Sequence, residues 1–142
     1  MNSQRLKGKV LKKIQGKSAL EHIIERSMKV GFIDDMIVAT THHKIDNKIE
    51  ELLKRKKIDY FRGDEMDVLS RFYKIAKKYP SRNILRLTAD CPLHDPEVIN
   101  DIIKFYNENN FDYVSNSIHR TFPVGLDTEV FSFGSLEKAF FE

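Results

Sequence analysis

One stretch decides the fold: Ile84-Leu-Arg-Leu-Thr88-Ala-Asp90-Cys-Pro-Leu-His-Asp95-Pro-Glu97. Its first four residues have the length of a short strand. Its last three are a strong helix start, with Asp95 as the cap, Pro96 at the first helical position and Glu97 in the first turn. A strand that runs through a loop into a capped helix is the repeating element of an α/β fold.

Strand and helix signals alternate on both sides of this stretch. Short apolar strand candidates are residues 36–39, 58–61, 112–114 and 128–133. Helices are predicted after the capping box Ser18-Ala-Leu-Glu21, after Asp46 as a cap, over residues 67–79, after Asp95 and from Ser135. The spacing of 20–30 residues predicts βαβ units around a mostly parallel sheet with helices on both faces.

The apolar positions predict which face of each helix is buried. The helix after Asp46 would bury Ile49, Leu52 and Leu53. The helix over residues 67–79 would bury a stripe at helical spacing, composed of Val68, Leu69, Phe72, Ile75 and Ala76.

Composition limits the classes of protein. The 142 residues suffice for one domain, which we predict over residues 1–142. A hydrophobic share of 41% with 6 Gly and 4 Pro excludes a disordered chain, and a net charge of +3 is too weak to indicate nucleic acid. Cys91 is the single cysteine, which excludes an internal disulfide. Apolar runs are short and no signal peptide is recognisable, so we expect a cytoplasmic protein that does not span a membrane.

A basic segment near the N-terminus has the composition of a phosphate-binding loop. In Ser3-x-Arg5-Leu-Lys7-Gly8-Lys9, three cations surround a glycine. Cations neutralise polyphosphate and glycine lets the backbone approach it closely. The P-loop pattern is absent. Taken alone, the segment fits a basic N-terminal tail better than a phosphate-binding loop.

Two further segments concentrate polar groups after predicted strands. Asp90 follows residues 84–87, where α/β nucleotide enzymes hold Mg²⁺ with one or two carboxylates and the substrate phosphates. Its alternative role is to cap a turn. The segment Asn116-x-x-x-Arg120-Thr-Phe-Pro-x-Gly-Leu-Asp127-Thr-Glu129 is either a functional loop or a connection with exposed charges.

Several segments in order carry a family resemblance: Ser3-Gln-Arg5-Leu-Lys7-Gly-Lys9-Val-Leu, Leu20-Glu-His-Ile-Ile-Glu-Arg26, Ile37-Val-Ala-Thr40, Phe61-Arg-Gly63, Asp67-Val-Leu-x-Arg71, Leu87-Thr-x-Asp90-Cys-Pro-Leu, Asp95-Pro-x-Val-Ile99, Asp112-Tyr-Val-Ser-Asn116 and Gly125-Leu-Asp127-x-Glu129-Val-Phe131. Together they resemble the cytidylyltransferases that activate acidic sugars, the CMP-Kdo and acylneuraminate cytidylyltransferase superfamily. The branch named after spore coat polysaccharide biosynthesis protein F is the most similar.

The resemblance implies a Rossmann-like nucleotidyltransferase fold, a three-layer sandwich, in which a sugar hydroxyl attacks the α-phosphate of CTP and releases pyrophosphate. It implies that Arg5 and Lys9 hold the triphosphate and that Asp90 binds Mg²⁺, which makes these three the catalytic set. Further nucleotide contacts would come from Ser3, Arg71 and Thr88. The acceptor side would be shaped by Asn116, Arg120, Asp127 and Glu129. The implied ligands are CTP and an acidic sugar or sugar derivative in surface polysaccharide biosynthesis. For this branch a free acidic sugar, a sugar phosphate and another polyol phosphate all stay open. Because open sheet edges recruit strands, a homodimer is an expected assembly.

Two departures from the family pattern produce further expectations. The family has an apolar strand before the Ser-x-Arg-Leu loop, and it continues past Glu142 to a second acidic metal ligand. We therefore expect that the first strand is missing, that the chain is incomplete, and that alone it has little activity. Two alternatives stay open: a nucleotide-sugar-dependent glycosyltransferase, although Thr88-Ala-Asp90 supplies only one carboxylate of an Asp-x-Asp pair, and a non-catalytic nucleotide-binding module.

Overall fold

The computed structural model describes Leu6 and residues 8–142. The strands are β1 Lys13–Ile14, β2 Lys17–Ser18, β3 Ile37–Thr41, β4 Asp59–Gly63, β5 Asn83–Arg86, β6 Tyr113–Ser115 and β7 Glu129–Ser132. The α-helices are α1 Ala19–Ser27, α2 Asn47–Lys56, α3 Val68–Lys78, α4 Pro96–Glu108 and α5 Phe133–Phe141. Short 3-10 helices cover Lys9–Leu11 and Lys44–Asp46.

Helices and strands alternate along the described chain, and this confirms the α/β class. The chain divides into two compact units, one of Met1–Ile33 with Leu85–Phe131 and one of Asp34–Ile84 with Ser132–Glu142. Within the described residues, no helix has both the length and the apolar character needed to cross a membrane.

In the first unit, a tight hairpin leads into α1. Strands β1 and β2 pair antiparallel around Gln15 and Gly16, whose φ angles of 52° and 83° are left-handed. The predicted capping box follows at once. The Ser18 hydroxyl accepts from the Glu21 amide at 3.2 Å, and the Glu21 carboxylate accepts from the Ser18 amide at 2.8 Å. These bonds satisfy amides that would otherwise lack partners at the start of α1.

The core of the first unit lies between α4 and a three-stranded sheet. The strand order is β5-β7-β6, and β6 pairs antiparallel with β7, with Val114 opposite Val130. The buried cluster comprises Val30, Ile99, Ile103, Tyr106, Val114 and Val130. Helix α4 presents three of these residues because its apolar positions recur at helical spacing. It begins as predicted, with Asp95 accepting from the Glu97 amide at 2.8 Å and Pro96 in the first turn.

The second unit contains a parallel strand pair. Strands β3 and β4 pair in register from Ile37 opposite Asp59 to Thr41 opposite Gly63. Helix α2 connects them, as parallel strands require a crossover. Its buried residues are Ile49, Leu52 and Leu53, which confirms the predicted face.

The predicted cap of α2 is wrong. Asp46 occupies the N-cap position, but its side chain makes no capping bond. The carboxylate instead accepts from the Thr40 hydroxyl at 3.0 Å and from the Thr41 hydroxyl and amide at 2.6 and 3.3 Å. Two hydroxyl donors at the end of β3 thus compete successfully with the helix amides for one carboxylate.

The predicted inner face of α3 is also partly wrong. Val68 and Leu69 are 40% and 39% exposed, whereas Ser70, Tyr73 and Ala76 are buried. The Tyr73 ring stacks on Phe140 of α5 at 4.2 Å between centroids. Helix α5 begins at Phe133 with Ser132 as its cap, rather than at Ser135. Packing against the aromatic face of α5 rotates the buried stripe, and that partner is not visible in the local pattern of α3.

Candidate active site

Lys9 and Asp90 form an ion pair in the first unit. Lys9 follows Gly8, whose φ of 67° begins the short Lys9–Leu11 helix. Its ammonium donates a hydrogen bond to Oδ2 of Asp90. The two side chains are 36% and 39% exposed, so ligands can reach both. The hydrogen bond from Lys9 holds the pKa of Asp90 below its usual value, so the carboxylate is ionised at neutral pH.

The loop after β5 holds Asp90 in place. The Cys91 amide donates to the Thr88 carbonyl at 3.3 Å, and the Thr88 hydroxyl lies 3.2 Å from the Cys91 sulfur. At the other end of the loop, Arg26 of α1 donates to the His94 carbonyl at 3.2 Å. Asp95 then begins α4. The loop that carries Asp90 is therefore tied both to itself and to α1.

His94 is a buried polar residue that the sequence did not single out. Its side chain has no exposed surface, and neither ring nitrogen has a hydrogen-bond partner in the part of the chain that the structure describes. Burial lowers the pKa of His94. The Thr88 carbonyl, which lies near the ring without a hydrogen bond of good geometry, and the carboxylates of Asp127 and Asp90 favour the protonated ring, but burial outweighs them. A histidine directly before a helix cap carries no sequence signal for burial, so nothing in the pattern could have found it.

The loop between β6 and β7 carries a second ion pair. Arg120 contacts Asp127 with two parallel hydrogen bonds of 2.6 and 3.2 Å. The pair is charge-assisted, and it lowers the pKa of Asp127. Asn116 closes the base of this loop, since its amide donates to the Leu126 carbonyl and accepts from the Thr128 amide, both at 2.9 Å.

Glu129 and Arg71 have their own partners. Glu129 of β7 forms an ion pair with Arg86 of β5. Arg71 belongs to the second unit, where its Nη1 donates to the Asp64 carbonyl at 2.5 Å. The aliphatic stem of Arg71 crosses Gly63, and a Cβ added there would lie 2.6 Å from Arg71 Cγ. A side chain at position 63 would therefore displace Arg71.

The structure thus places part of the predicted set. Lys9 contacts Asp90, and Thr88 lies in the same loop. Ser3 and Arg5, with Lys7, lie outside the described residues. The roles of all ten predicted site residues stay predictions.

A family model described as cytidylyltransferase matches residues 1–140. The chain belongs to this cytidylyltransferase family. The solved structure of a cytidylyltransferase from Leptospira borgpetersenii is similar over 97% of this chain and 59% of its own, with a TM-score of 0.91 and 34% identity. This confirms the Rossmann-like nucleotidyltransferase fold that the sequence predicted.

Relatives of this cytidylyltransferase chain have different names. An uncharacterized protein of Methanocaldococcus jannaschii is 46% identical, over 96% of this chain and 55% of its own length. The spore coat polysaccharide biosynthesis protein SpsF of Bacillus subtilis is 31% identical, over 92% and 55%. A 3-deoxy-manno-octulosonate cytidylyltransferase of Geotalea daltonii is 32% identical, over 71% and 39%. The chain thus spans about half the length of the first two relatives.

The donors in this cytidylyltransferase chain fit a magnesium ion only together with substrate. Among the described residues, no three His, Cys, Asp or Glu side chains form a cluster that could hold a metal. Asp90 supplies one ionised, accessible carboxylate. Mg²⁺ binds well to one or two carboxylates plus substrate phosphates, so Asp90 meets the protein's minimum contribution.

We expect His94→Leu to stabilise the folded protein by about 1 kcal/mol at neutral pH, because an unpaired buried polar group costs about 1–3 kcal/mol. The substitution should also flatten the pH dependence of the free energy of unfolding. Since the pKa of His94 is lower in the folded state, the unfolded state binds more protons near pH 6.5. Stability of the wild type should therefore fall as pH decreases from about 7 to 5.

Denaturant unfolding at several pH values measures this effect. His119→Leu, at an exposed histidine, is the matched control and should keep the wild-type slope. The pKa values of Asp90 and Asp127 are lowered in the folded protein, so protonation of these carboxylates also destabilises it. That loss of stability occurs only below about pH 4 and does not overlap the effect of His94. An unchanged slope between pH 5 and 7 in His94→Leu would contradict the role assigned to burial.

Proposed function

We propose that the protein containing this chain transfers CMP from CTP to a hydroxyl of an acidic sugar and releases pyrophosphate. The observation that carries the proposal is the Lys9–Asp90 pair, a cation and an accessible carboxylate in one loop cluster of a cytidylyltransferase chain. The oxygen of the sugar hydroxyl forms the new bond to the α-phosphorus and releases its proton to solvent. The bond from the α-phosphorus to the β-phosphate oxygen breaks, and pyrophosphate leaves with the electron pair.

The proposed roles follow from the charge of the reaction. Phosphoryl-type transfer depends on positioning and on neutralising the phosphate oxygens more than on covalent chemistry. Lys9 would contact the triphosphate, together with Arg5, and Thr88 would keep the loop of Asp90 in shape. Mg²⁺ held by Asp90 would supply further positive charge when bound.

The Arg120–Asp127 pair supports an acidic acceptor. Arg120 presents a guanidinium at a partly exposed surface of the first unit, and guanidinium groups bind carboxylates with two parallel hydrogen bonds. A sugar carboxylate would compete with Asp127 for Arg120. The octulosonate cytidylyltransferase among the relatives acts, by its name, on a sugar acid, and SpsF is named for polysaccharide biosynthesis.

Thermal shift measurements with the native gene product in the presence of Mg²⁺ test which nucleotide the protein binds. CTP at about 100 times its Kd should stabilise the protein by about 2.7 kcal/mol, whereas a UDP-sugar should not. A larger shift with the UDP-sugar would favour a glycosyltransferase instead. The homodimer and the cytoplasmic location stay predictions.

We expect Lys9→Ala to weaken CTP binding about 10- to 150-fold, because a lost charge-assisted phosphate contact costs about 1.5–3 kcal/mol. Isothermal titration calorimetry measures this change. Lys17→Ala is the control, since Lys17 lies in the same unit and pairs with Glu25 at 2.7 Å. Equal losses in both variants would indicate a general effect of charge and not a contact with Lys9.

A further inference from the structure

We propose that Asp90 has two alternative partners, the ammonium of Lys9 and a divalent cation, and that Lys9 leaves Asp90 for the triphosphate when the cation binds. The inference deepens the proposed function and rests on it, since it assigns Lys9 two successive positions in one binding event. Its basis is the contact of the two side chains that are predicted to bind metal and phosphate.

The contact between Lys9 and Asp90 makes the ammonium of Lys9 and a divalent cation competitors for the Asp90 carboxylate. Lys9 Nζ donates directly to Oδ2 of Asp90. The other oxygen, Oδ1, faces the Cys91 sulfur at 3.8 Å. Within the described residues, Asp90 is not part of a group of three His, Cys, Asp or Glu side chains that could hold a metal. A divalent cation bound to this one carboxylate would lie close to the ammonium of Lys9, and the two positive charges would repel each other. The two cations would therefore compete for Asp90.

Lys9 can change partner without moving the backbone. Its main chain is held by hydrogen bonds from the Leu11 amide to the Gly8 carbonyl at 3.0 Å and from the Lys12 amide to the Lys9 carbonyl at 3.1 Å. The ammonium lies at the end of a flexible four-carbon stem. Ion pairs between partly exposed side chains are weak and are easily replaced by a ligand of higher charge.

The exchange has a functional consequence. While Lys9 pairs with Asp90, a divalent cation alone binds poorly there and the triphosphate lacks one of its cations. A triphosphate and a divalent cation that arrive together satisfy both side chains, because Lys9 gains phosphate oxygens as Asp90 gains the metal. The pair thus couples metal binding to nucleotide binding.

A double-mutant cycle with Lys9→Gln and Asp90→Asn tests the exchange in the native gene product. Inorganic tripolyphosphate in the presence of EDTA is the probe, measured by calorimetry. Asp90→Asn should tighten binding about 2- to 5-fold when Lys9 is present and leave it unchanged when Lys9 is Gln. Lys9→Gln should likewise raise the affinity for Mn²⁺ alone about 2- to 5-fold, measured by electron paramagnetic resonance.

Glu25→Gln is the matched control, since it removes one negative charge from the same unit and breaks the comparable Lys17–Glu25 pair. It should leave both affinities unchanged. An equal effect of Asp90→Asn in both backgrounds, or an unchanged Mn²⁺ affinity in Lys9→Gln, would overturn the exchange. Neither probe requires CTP turnover. If the effects of Lys9→Gln and Asp90→Asn depend on each other but the protein does not bind CTP, only the proposed function is contradicted. If the two effects are independent and the protein does bind CTP, only the exchange is contradicted.

Discussion

Asp90→Asn is expected to lower the rate of CMP transfer by about a thousandfold or more while the protein stays folded. The amide keeps the size of the side chain and removes the charge that would hold a divalent cation. A metal at a reacting phosphate contributes several kcal/mol, and loss of one preorganised charge contact alone costs about 10²- to 10³-fold. Because Asp90 is exposed at the surface of its loop, packing should not change.

Pyrophosphate release from CTP and a sugar acid such as 3-deoxy-manno-octulosonate measures the rate. The native gene product is used, as in the binding measurements. Asp101→Asn makes the same chemical change at an exposed position of α4 and should leave the rate unchanged. A rate near that of the wild type in Asp90→Asn would exclude Asp90 as the metal ligand.

Local signals predicted the starts of α1 and α4 correctly because the relevant bonds join near neighbours. The capping box of Ser18 and Glu21 spans three residues, and the cap of Asp95 reaches the amide of Glu97. Both can be inferred from residue types and spacing without knowledge of the rest of the fold. The alternation of such helices with apolar runs was sufficient for the α/β class.

Local patterns could not predict the interactions that depend on partners elsewhere in the chain. The buried face of α3 depends on aromatic residues of α5, about sixty residues later, which stack on Tyr73. The β6–β7 pairing is antiparallel, which the spacing of strand candidates does not indicate. At the candidate site, the motifs indicated both Lys9 and Asp90, but their direct contact across 81 residues is a product of the fold. His94 is buried for the same reason.

The second large effect is on stability: Asp46→Ala is expected to destabilise the protein by about 2–4 kcal/mol. Asp46 is 1% exposed and accepts three hydrogen bonds from Thr40 and Thr41. Alanine leaves the hydroxyl of Thr40, which is itself 5% exposed, without this acceptor. Each buried donor that loses its partner costs about 1–3 kcal/mol.

Chemical denaturation of three variants shows whether Asp46 stabilises the protein through its buried hydrogen bonds or as a helix cap. The variants are Asp46→Ala, Asp46→Asn and Asp95→Ala. Asp95→Ala removes only the cap of α4 and should cost about 1 kcal/mol. Asp46→Asn keeps one amide oxygen as an acceptor for Thr41 and should fall between the other two variants. If Asp46→Ala costs no more than Asp95→Ala, Asp46 contributes as an ordinary cap, as the sequence alone suggested. A loss two to four times larger would show that its bonds to the end of β3 stabilise the second unit.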